Sequence, residues 1–246
     1  MERKLQNIIL PVREKFYLCW QLFYKGSRGY TDKEKYALRM GQYQMCDFTT
    51  FLNGCSYGKW KKYTDLKNIK LQLEAEGKFK IFLVGYHLDI YNPIRKEFLS
   101  KEYDLKNRQL IEIEYPENDE TILGFEIVAC GVCSIYGGAY IGEYEVPDIR
   151  NIVLAIATTT CCKEEFIASN MQVLKEEIIE SENEEIRDNI YIHVVDNGRT
   201  LNLAEWNKKH LKIHPNKNSG GGWRFCEGNV GVNVPNTSGN ACFVNG

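Results

Sequence analysis

The stretch Asn151-Ile-Val-Leu-Ala-Ile-Ala-Thr-Thr-Thr160 opens the part of the chain that decides the fold prediction. Its apolar run at 152–157 is continuous, as expected for a strand that is buried on both faces of a parallel sheet. A second buried strand is predicted at 190–195, and it runs into Asp196-Asn-Gly198, a strong turn signal. A third strand is predicted at 211–214. The pattern therefore predicts consecutive strands of a parallel sheet.

Helical patterns occupy the intervals between these strands. A helix is predicted to begin near Lys163, because Glu164 and Glu165 place acids in its first turn. Its apolar face repeats at intervals of three and four residues. The members of that face are Phe166, Ile167, Met171, Leu174 and Ile178. Acidic residues at 180–188 are expected to end it, and a short helix is predicted at 203–209. Alternating strands and helices with short links imply parallel pairing with right-handed crossovers.

Residues 1–147 have a different period and predict an antiparallel β-sandwich, with 12–24 as a lead-in segment. Ile69, Leu71 and Leu73 alternate with polar residues, which is typical of a half-buried strand. Glu76-Gly77 and 116–119 are interpreted as turns between short strands. The predicted strands lie at 48–52, 69–73, 79–84, 110–113, 122–128 and 135–141.

Composition excludes some classes of function. A net charge of −2 gives no electrostatic basis for binding nucleic acid. No apolar run approaches the roughly 20 residues of a membrane helix, and no secretion signal is found, so a cytoplasmic location is expected. Nine cysteines are then interpreted as reduced thiols. Cys130-Gly-Val-Cys133 has no second ligand pair, so a zinc site is not predicted.

Three loops, at 158–163, 196–199 and 216–222, should meet at the carboxyl edge of the predicted sheet. Thr160 offers a hydroxyl, and Lys163 is a cation near a helix start, where phosphate is also favoured. Asp196 is an acceptor for a base or ribose, and the glycines at 220–222 allow backbone amides to approach a phosphate. The sequence therefore predicts a site for a nucleotide diphosphate. A dinucleotide fingerprint and a P-loop are both missing from these loops.

Several motifs in this order resemble the bacterial UDP-galactofuranose galactofuranosyltransferases. In the first half the resemblance rests on Thr50-Phe-Leu-Asn53 and Trp60-Lys-Lys-Tyr63-Thr64. In the second half it rests on Ala155-Ile-Ala-Thr-Thr-Thr160, Lys163-Glu-Glu-Phe166, Val195-Asp-Asn-Gly198, Asn216-Lys-Asn218 and Gly220-Gly221.

The resemblance implies a GT-A (Rossmann-like) nucleotide-diphosphosugar domain, here partial, over 148–222. It implies an enzyme that transfers galactofuranose, with inversion, from UDP-galactofuranose to a cell-surface glycan, with divalent Mn or Mg as cofactor. The partners would be the UDP-sugar donor and the glycan acceptor, at the inner face of the membrane. The implied donor-binding residues are Thr160, Lys163, Asp196, Asn197, Gly198, Asn216, Asn218, Gly220 and Gly221.

The chain departs from the family at two places. Cys161-Cys162 stands where the family carries an aromatic and a basic residue, which affects the base and phosphate contacts. No Asp-x-Asp motif occurs and no aspartate follows Asp196, so no catalytic residue or metal ligand is assigned, and this chain is expected not to turn over. Residues 223–231 can be back-translated with one choice of ordinary codons. When these bases are read one nucleotide later, they encode Gly-Gly-Phe-Ala-Arg-Gly-Met, which is how the family's sequence continues after its glycine loop. Residues 223–246 are therefore expected to be a frameshifted or disordered tail.

Two other functions stay open. One is a non-catalytic carbohydrate-binding or scaffold module, in which Trp60 and Tyr63, with Tyr57 and Tyr86, stack on sugar rings. Packing in the core is the more common use of each aromatic ring. The other is a nucleotide-binding regulatory protein. The lysines around Trp60 are interpreted as a solvated strand edge. The sequence does not determine the oligomeric state.

Overall fold

The computed structural model describes residues 1–12, 19–88, 92–145, 153–202, 209–216 and 242–245. The chain divides into two compact units, Met1–Pro147 and Asp148–Gly246. Three predicted site residues, Asn218, Gly220 and Gly221, lie outside the described residues. So do 203–208, which hold most of the short helix predicted at 203–209, and much of the lead-in segment.

The first unit is almost entirely antiparallel β-structure and is β-sandwich-like, which confirms the coarse prediction for this half. Its strands are β1 (Glu2–Ile8), β2 (Lys25–Gly26), β3 (Tyr30–Asp32), β4 (Ala37–Met40), β5 (Met45–Asp47), β6 (Leu66–Leu88), β7 (Pro93–Glu114) and β8 (Ile122–Tyr144), with one helix, α1 (Tyr57–Tyr63). The long strand β8 pairs with β1, β4, β5 and β6, and β6 also pairs with β7. All these pairings are antiparallel.

Strand β6 is longer than the strands predicted in its place, because one turn signal is a β-bulge. Gly77 lies inside β6, with φ +93°, and the pairing of β6 with both neighbours shifts register around it. A Cβ at Gly77 would stand 2.2 Å from the carbonyl oxygen of Val132, so only glycine fits there. The sequence Glu-Gly occurs in bulges as well as in turns. Here it forms a bulge, and the strands predicted at 69–73 and 79–84 are both parts of β6.

The Thr50–Asn53 motif also has a different conformation from the one predicted. Phe48 follows β5 and is fully buried, and residues 51–53 form a turn rather than a strand. The Asn53 amide nitrogen donates to the carbonyls of Ile9 and Phe23, at 2.8 and 2.7 Å, and its oxygen accepts from the Ile9 N–H at 2.7 Å. The Thr50 hydroxyl donates to the same Phe23 carbonyl at 3.0 Å. This motif therefore ties the amino-terminal segments to the sheet.

The lysine cluster around Trp60 lies on a helix and not on a strand edge, which corrects the prediction. In α1, the Thr64 hydroxyl donates to the Trp60 carbonyl at 2.6 Å and ends the helix. Lys61 Nζ lies 2.6 Å from an Asp119 carboxylate oxygen and 2.9 Å from the Asn118 carbonyl oxygen. The Trp-Lys-Lys-Tyr-Thr motif is thus a short capped helix, and its first lysine joins it to the loop between β7 and β8.

The second unit contains the parallel sheet that the sequence predicts. Its elements are β9 (Leu154–Thr160), α2 (Glu164–Leu174), α3 (Glu184–Asn189), β10 (Ile190–Asp196), β11 (Leu211–Pro215) and β12 (Cys242–Asn245). The strand order is β11-β10-β9-β12, and every pairing is parallel. β12 lies in the segment 223–246, which the sequence predicts as a frameshifted or disordered tail, and its four residues pair with β9.

A separate apolar core lies between α2 and one face of this sheet. Ile167 and Met171 from the helix pack on Ile192, Val194 and Ile213 from the strands. Phe166, predicted on the same face, is 70% exposed instead. A π-helical turn, Lys175–Ile179, follows α2. The acidic stretch that was expected only to end this helix also forms α3, whose start is capped by the Asn183 side chain at 3.0 Å from the Glu185 N–H.

Candidate functional site

The carboxyl ends of three parallel strands lie in register at one edge of the second sheet. Thr160, the last residue of β9, pairs with Asp196, the last of β10, which in turn pairs with Pro215, the last of β11. Backbone hydrogen bonds continue past the strands: the Asn197 N–H donates to the Thr160 carbonyl at 2.9 Å, and the Asn216 N–H donates to the Asp196 carbonyl at 2.8 Å. The predicted loops therefore start side by side.

Side chains join the second and third loops. The Asn216 amide nitrogen donates to the Asn197 amide oxygen at 3.0 Å, and Arg199 Nε donates to the Asn216 carbonyl at 3.2 Å. Asn197 is half-buried, and Arg199 is exposed with φ +55°. The structure thus brings together Thr160, Asp196, Asn197, Gly198 and Asn216, the predicted site residues that it describes on the strand ends.

Asp196 has a structural role that the sequence analysis did not assign. Only 1% of the residue is exposed. One carboxylate oxygen accepts the Gly198 N–H at 3.0 Å, and the other accepts the Leu201 N–H at 2.9 Å. This carboxylate therefore folds the loop after β10 around itself, as Asp side chains do in turns. Direct contact between Asp196 and a ribose or base stays a prediction.

The loop after β9 presses against the loop after β10. A Cβ added to Gly198 would lie 2.9 Å from the backbone nitrogen of Cys162 and 3.1 Å from its sulfur. Cys162 itself has φ +50°, and both it and Cys161 are exposed thiols. A hydrogen bond with Cys161, followed by its electrostatic effect, raises the pKa of the Cys162 thiol. Cys162 therefore presents a protonated thiol at this edge of the sheet.

Lys163 precedes the first turn of α2 and is exposed, so its charge is available at the edge. The helix start already has acids, Glu164 and Glu165. A hydrogen bond from the Thr200 side chain, supported by one from the Glu164 backbone N–H, lowers the pKa of the Glu164 carboxyl. An anion that approaches this helix start therefore meets one cation and an ionised carboxylate.

A pair of histidines on this sheet was not singled out from the sequence. His193 Nδ1 and His214 Nε2 lie 2.9 Å apart, on β10 and β11. Burial lowers the pKa of both imidazoles; for His193 the charge of His214 and then that of Lys212 add to this, and for His214 the charge of Lys212. His210 stacks on Tyr191 with ring centroids 4.5 Å apart. The sequence pattern could have indicated this pair. Both histidines alternate with core residues along their strands, which places them on the sheet face opposite α2.

The described residues do not fit the divalent metal that the resemblance implies. No group of three or more histidine, cysteine, aspartate or glutamate side chains in the described ranges is arranged to hold a metal ion. At the strand ends the carboxylate of Asp196 already accepts two backbone N–H groups. Magnesium and manganese need several oxygen ligands with free lone pairs.

The aromatic residues proposed for glycan contact are mostly part of the fold. Tyr57 is buried, Tyr86 is half-buried, and Trp60 packs partly against the core of the first unit. Tyr63 alone among these four is exposed, and Lys62 Nζ lies 5.2 Å from its ring centroid. A stacking platform made of Trp60 and Tyr63 therefore stays a prediction. No helix of the described segments is long and apolar enough to cross a membrane.

Comparison with known proteins adds little. No protein-family model and no curated protein matches the chain. The CBM22-1–GH10 modules of a Clostridium thermocellum endo-1,4-β-D-xylanase are similar at 8% identity and TM-score 0.29, over 72% of this chain and 38% of that one. A family two carbohydrate esterase from Cellvibrio japonicus is similar at 12% identity and TM-score 0.29, over 65% and 40%.

The Glycosylation Associate Protein (Gap123) complex from Streptococcus agalactiae is similar at 14% identity and TM-score 0.28, over 80% of this chain and 47% of that one. This chain therefore spans less than half of each of these three solved chains. At these TM-scores the likenesses carry no inference about function.

Proposed function

We propose that the second unit binds the nucleotide diphosphate of a sugar donor at the carboxyl edge of its sheet. The single observation that carries this proposal is the alignment of the ends of β9, β10 and β11 at Thr160, Asp196 and Pro215. The strand order also supports it: β10 and β12 flank β9, so the chain order reverses at β9. In open parallel sheets, ligands bind outside the carboxyl ends of the strands at such a reversal.

The roles of individual residues follow from their positions. The exposed ammonium of Lys163 pairs with the diphosphate. Asn197, which accepts a hydrogen bond from Asn216, presents its amide nitrogen as a donor to the ribose or base. Asp196 fixes the loop that carries Asn197 and Gly198. Thr160 is largely buried and contributes mainly through the strand end.

The motif resemblance adds an activity to this proposal. That activity is the transfer of galactofuranose from UDP-galactofuranose to a cell-surface glycan. Such a transfer breaks the bond between the anomeric carbon and the diphosphate and forms one to an acceptor hydroxyl. Charge that develops on the departing UDP must then be neutralised. The described residues offer Lys163 for that charge and no set of metal ligands. Donor binding is therefore the step that we propose for them.

Calorimetric titration of the full chain with UDP, with and without manganese, tests the proposal. We expect weak binding of UDP that does not depend on manganese. Lys163→Ala should weaken it about tenfold, because a charged hydrogen bond to phosphate is removed. Lys175→Ala, at the other end of α2, is the matched control and should leave the affinity unchanged.

Two results would contradict the proposal: no binding of UDP at millimolar concentration, or equal loss in the two lysine variants. Binding of a neutral glycan without binding of UDP would favour the carbohydrate-binding module instead.

A further inference from the structure

A groove of about 350 Å³ lies in the first unit, and the nucleotide proposal does not involve it. Three aromatic side chains, Trp20, Tyr24 and Tyr30, line it together with the basic residues Arg28 and Lys33. Its volume falls within the range of sites that bind small molecules. From the sequence, Trp20 and Tyr24 belong to the lead-in segment at 12–24, for which no site is predicted.

The aromatic floor of the groove is held rigidly by the core. The Trp20 and Tyr24 ring centroids are 5.0 Å apart, and those of Tyr24 and Phe48 are 5.9 Å apart. Phe48 stacks in turn on Phe125 at 4.6 Å. Because Tyr24, Phe48 and Phe125 are almost fully buried, the floor cannot rearrange without disturbing the core. A ligand would therefore meet a preformed surface and lose little free energy by ordering it.

Hydrogen-bonding groups stand beside the rings. The Tyr24 hydroxyl accepts the Gly29 N–H at 3.1 Å, so its own proton is left to donate. Burial raises the pKa of this phenol, which keeps that proton in place. The Thr31 hydroxyl donates to the Pro11 carbonyl at 3.4 Å and keeps its lone pairs as acceptors. Rings with a polar group at one edge suit ligands that are apolar on their faces and hydroxylated at their edges, as sugars are.

The charged side chains among the described residues that line the groove are the cations Arg28 and Lys33. None of the described residues that line it is acidic, and Arg28 forms no ion pair within the described ranges. Arg28 lines the groove together with Tyr24, and its positive charge lowers the pKa of the Tyr24 phenol against the larger effect of burial. A guanidinium binds a carboxylate or phosphate through two parallel hydrogen bonds. An anionic ligand is therefore preferred over a neutral one.

We propose that this groove binds an acidic sugar, that is, a saccharide ring that carries a carboxylate or a phosphate. Trp20 and Tyr30 stack on the apolar faces of the ring, the Tyr24 and Thr31 hydroxyls bond its hydroxyl groups, and Arg28 pairs with the acid. Tyr30, 69% exposed, forms the outer wall. This site does not depend on the nucleotide site of the second unit, and either proposal can fail without the other.

Nuclear magnetic resonance titration of the full chain tests the groove directly. The chain has four tryptophans, so the indole N–H signal of Trp20 is assigned by its loss in Trp20→Phe. The probes are glucuronate, glucose 1-phosphate, glucose and inorganic phosphate. We expect the Trp20 signal to shift with glucuronate or glucose 1-phosphate, at an affinity about tenfold above that for glucose. Whichever acidic probe binds more tightly identifies the acid as carboxylate or phosphate.

Two variants test the roles proposed for Arg28 and Tyr30, and two further variants serve as controls. Arg28→Ala should weaken binding of the acidic sugar about tenfold and leave the affinity for glucose nearly unchanged. Tyr30→Ala should weaken both about fivefold, because a stacking surface is lost. Phe51→Ala and Lys78→Ala remove an exposed aromatic ring and an exposed cation outside the groove, and should change neither affinity.

Three outcomes would overturn the proposal. The first is an unshifted Trp20 signal with both acidic sugars. The second is inorganic phosphate binding as tightly as glucose 1-phosphate, since the ring would then contribute nothing. The third is equal weakening in Arg28→Ala and Lys78→Ala, which would indicate nonspecific attraction to the charged surface.

Discussion

At the scale of single residues, two polar side chains from the resemblance motifs hold backbone segments in place. Asp196 accepts two N–H groups of its own loop, and Asn53 satisfies three backbone groups of two other segments. Both are almost completely buried. Both belong to motifs that carry the resemblance to galactofuranosyltransferases. A polar residue in such a motif can therefore support the fold without touching a ligand.

Asn53 gives the sharpest test of stability at this scale. Asn53→Ala would remove the side-chain partner of the Ile9 N–H and of the Ile9 carbonyl, and one of the donors to the Phe23 carbonyl, which should cost about 3 kcal/mol in the free energy of unfolding. Urea denaturation of the full chain, followed at the first unit's transition, measures this cost. Asn68→Ala removes an exposed bond to Glu143 and should change stability by less than about 0.5 kcal/mol. Similar effects of the two variants would contradict the role assigned to Asn53.

At the scale of elements, the paired strands β10 and β11 join two imidazoles that the fold keeps neutral. A hydrogen bond between two histidine nitrogens requires one neutral acceptor, so both rings cannot be protonated while it persists. Lys212 adds a positive charge close to both rings. The adjacent stack of His210 on Tyr191 extends the same pair of strands. The stability of this sheet should therefore depend on pH.

The sign of that dependence follows from the lowered pKa values of His193 and His214. The unfolded chain takes up protons as pH falls below about 6.5, whereas the folded chain resists. Stability should therefore be constant above about pH 6.5 and fall below it, until the lowered folded pKa values are passed. Thermal unfolding of the second unit between pH 7.5 and 5.5 measures this. His193→Gln should flatten the profile, and His87→Gln, exposed on β6, should not. An unchanged profile in His193→Gln would contradict this assignment.

At the scale of the whole molecule, the chain has two units, each with its own apolar core. The first core consists mainly of β-sheet residues, and the second lies between α2 and the parallel sheet. We therefore expect residues 1–147 to fold when produced alone. Circular dichroism should show a β-rich spectrum, and the thermal midpoint should lie within a few degrees of the first transition of the full chain. A fragment without cooperative unfolding would show that the first core needs the rest of the chain.

Much of this architecture was available from the sequence, because burial leaves a periodic trace. The alternation at Ile69, Leu71 and Leu73 predicted a half-buried strand, and the apolar run before Thr160 predicted a strand in a parallel sheet. The short distances between predicted elements placed Thr160, Asp196 and Asn216 at neighbouring strand ends. Local pattern and strand length were enough for these conclusions.

The tertiary structure alone decided what each polar residue does. The local sequence at Gly77 predicts a turn, but the residue forms a β-bulge. Glycine is required there because Val132 approaches it closely across the sheet. The carboxylate of Asp196 turns inward because nearby N–H groups reach it. The groove at Trp20 is lined by residues between Pro11 and Lys33, and only the folding of this stretch against the core places them around one cavity. Periodicity reports burial along one element, whereas a site depends on distances between elements.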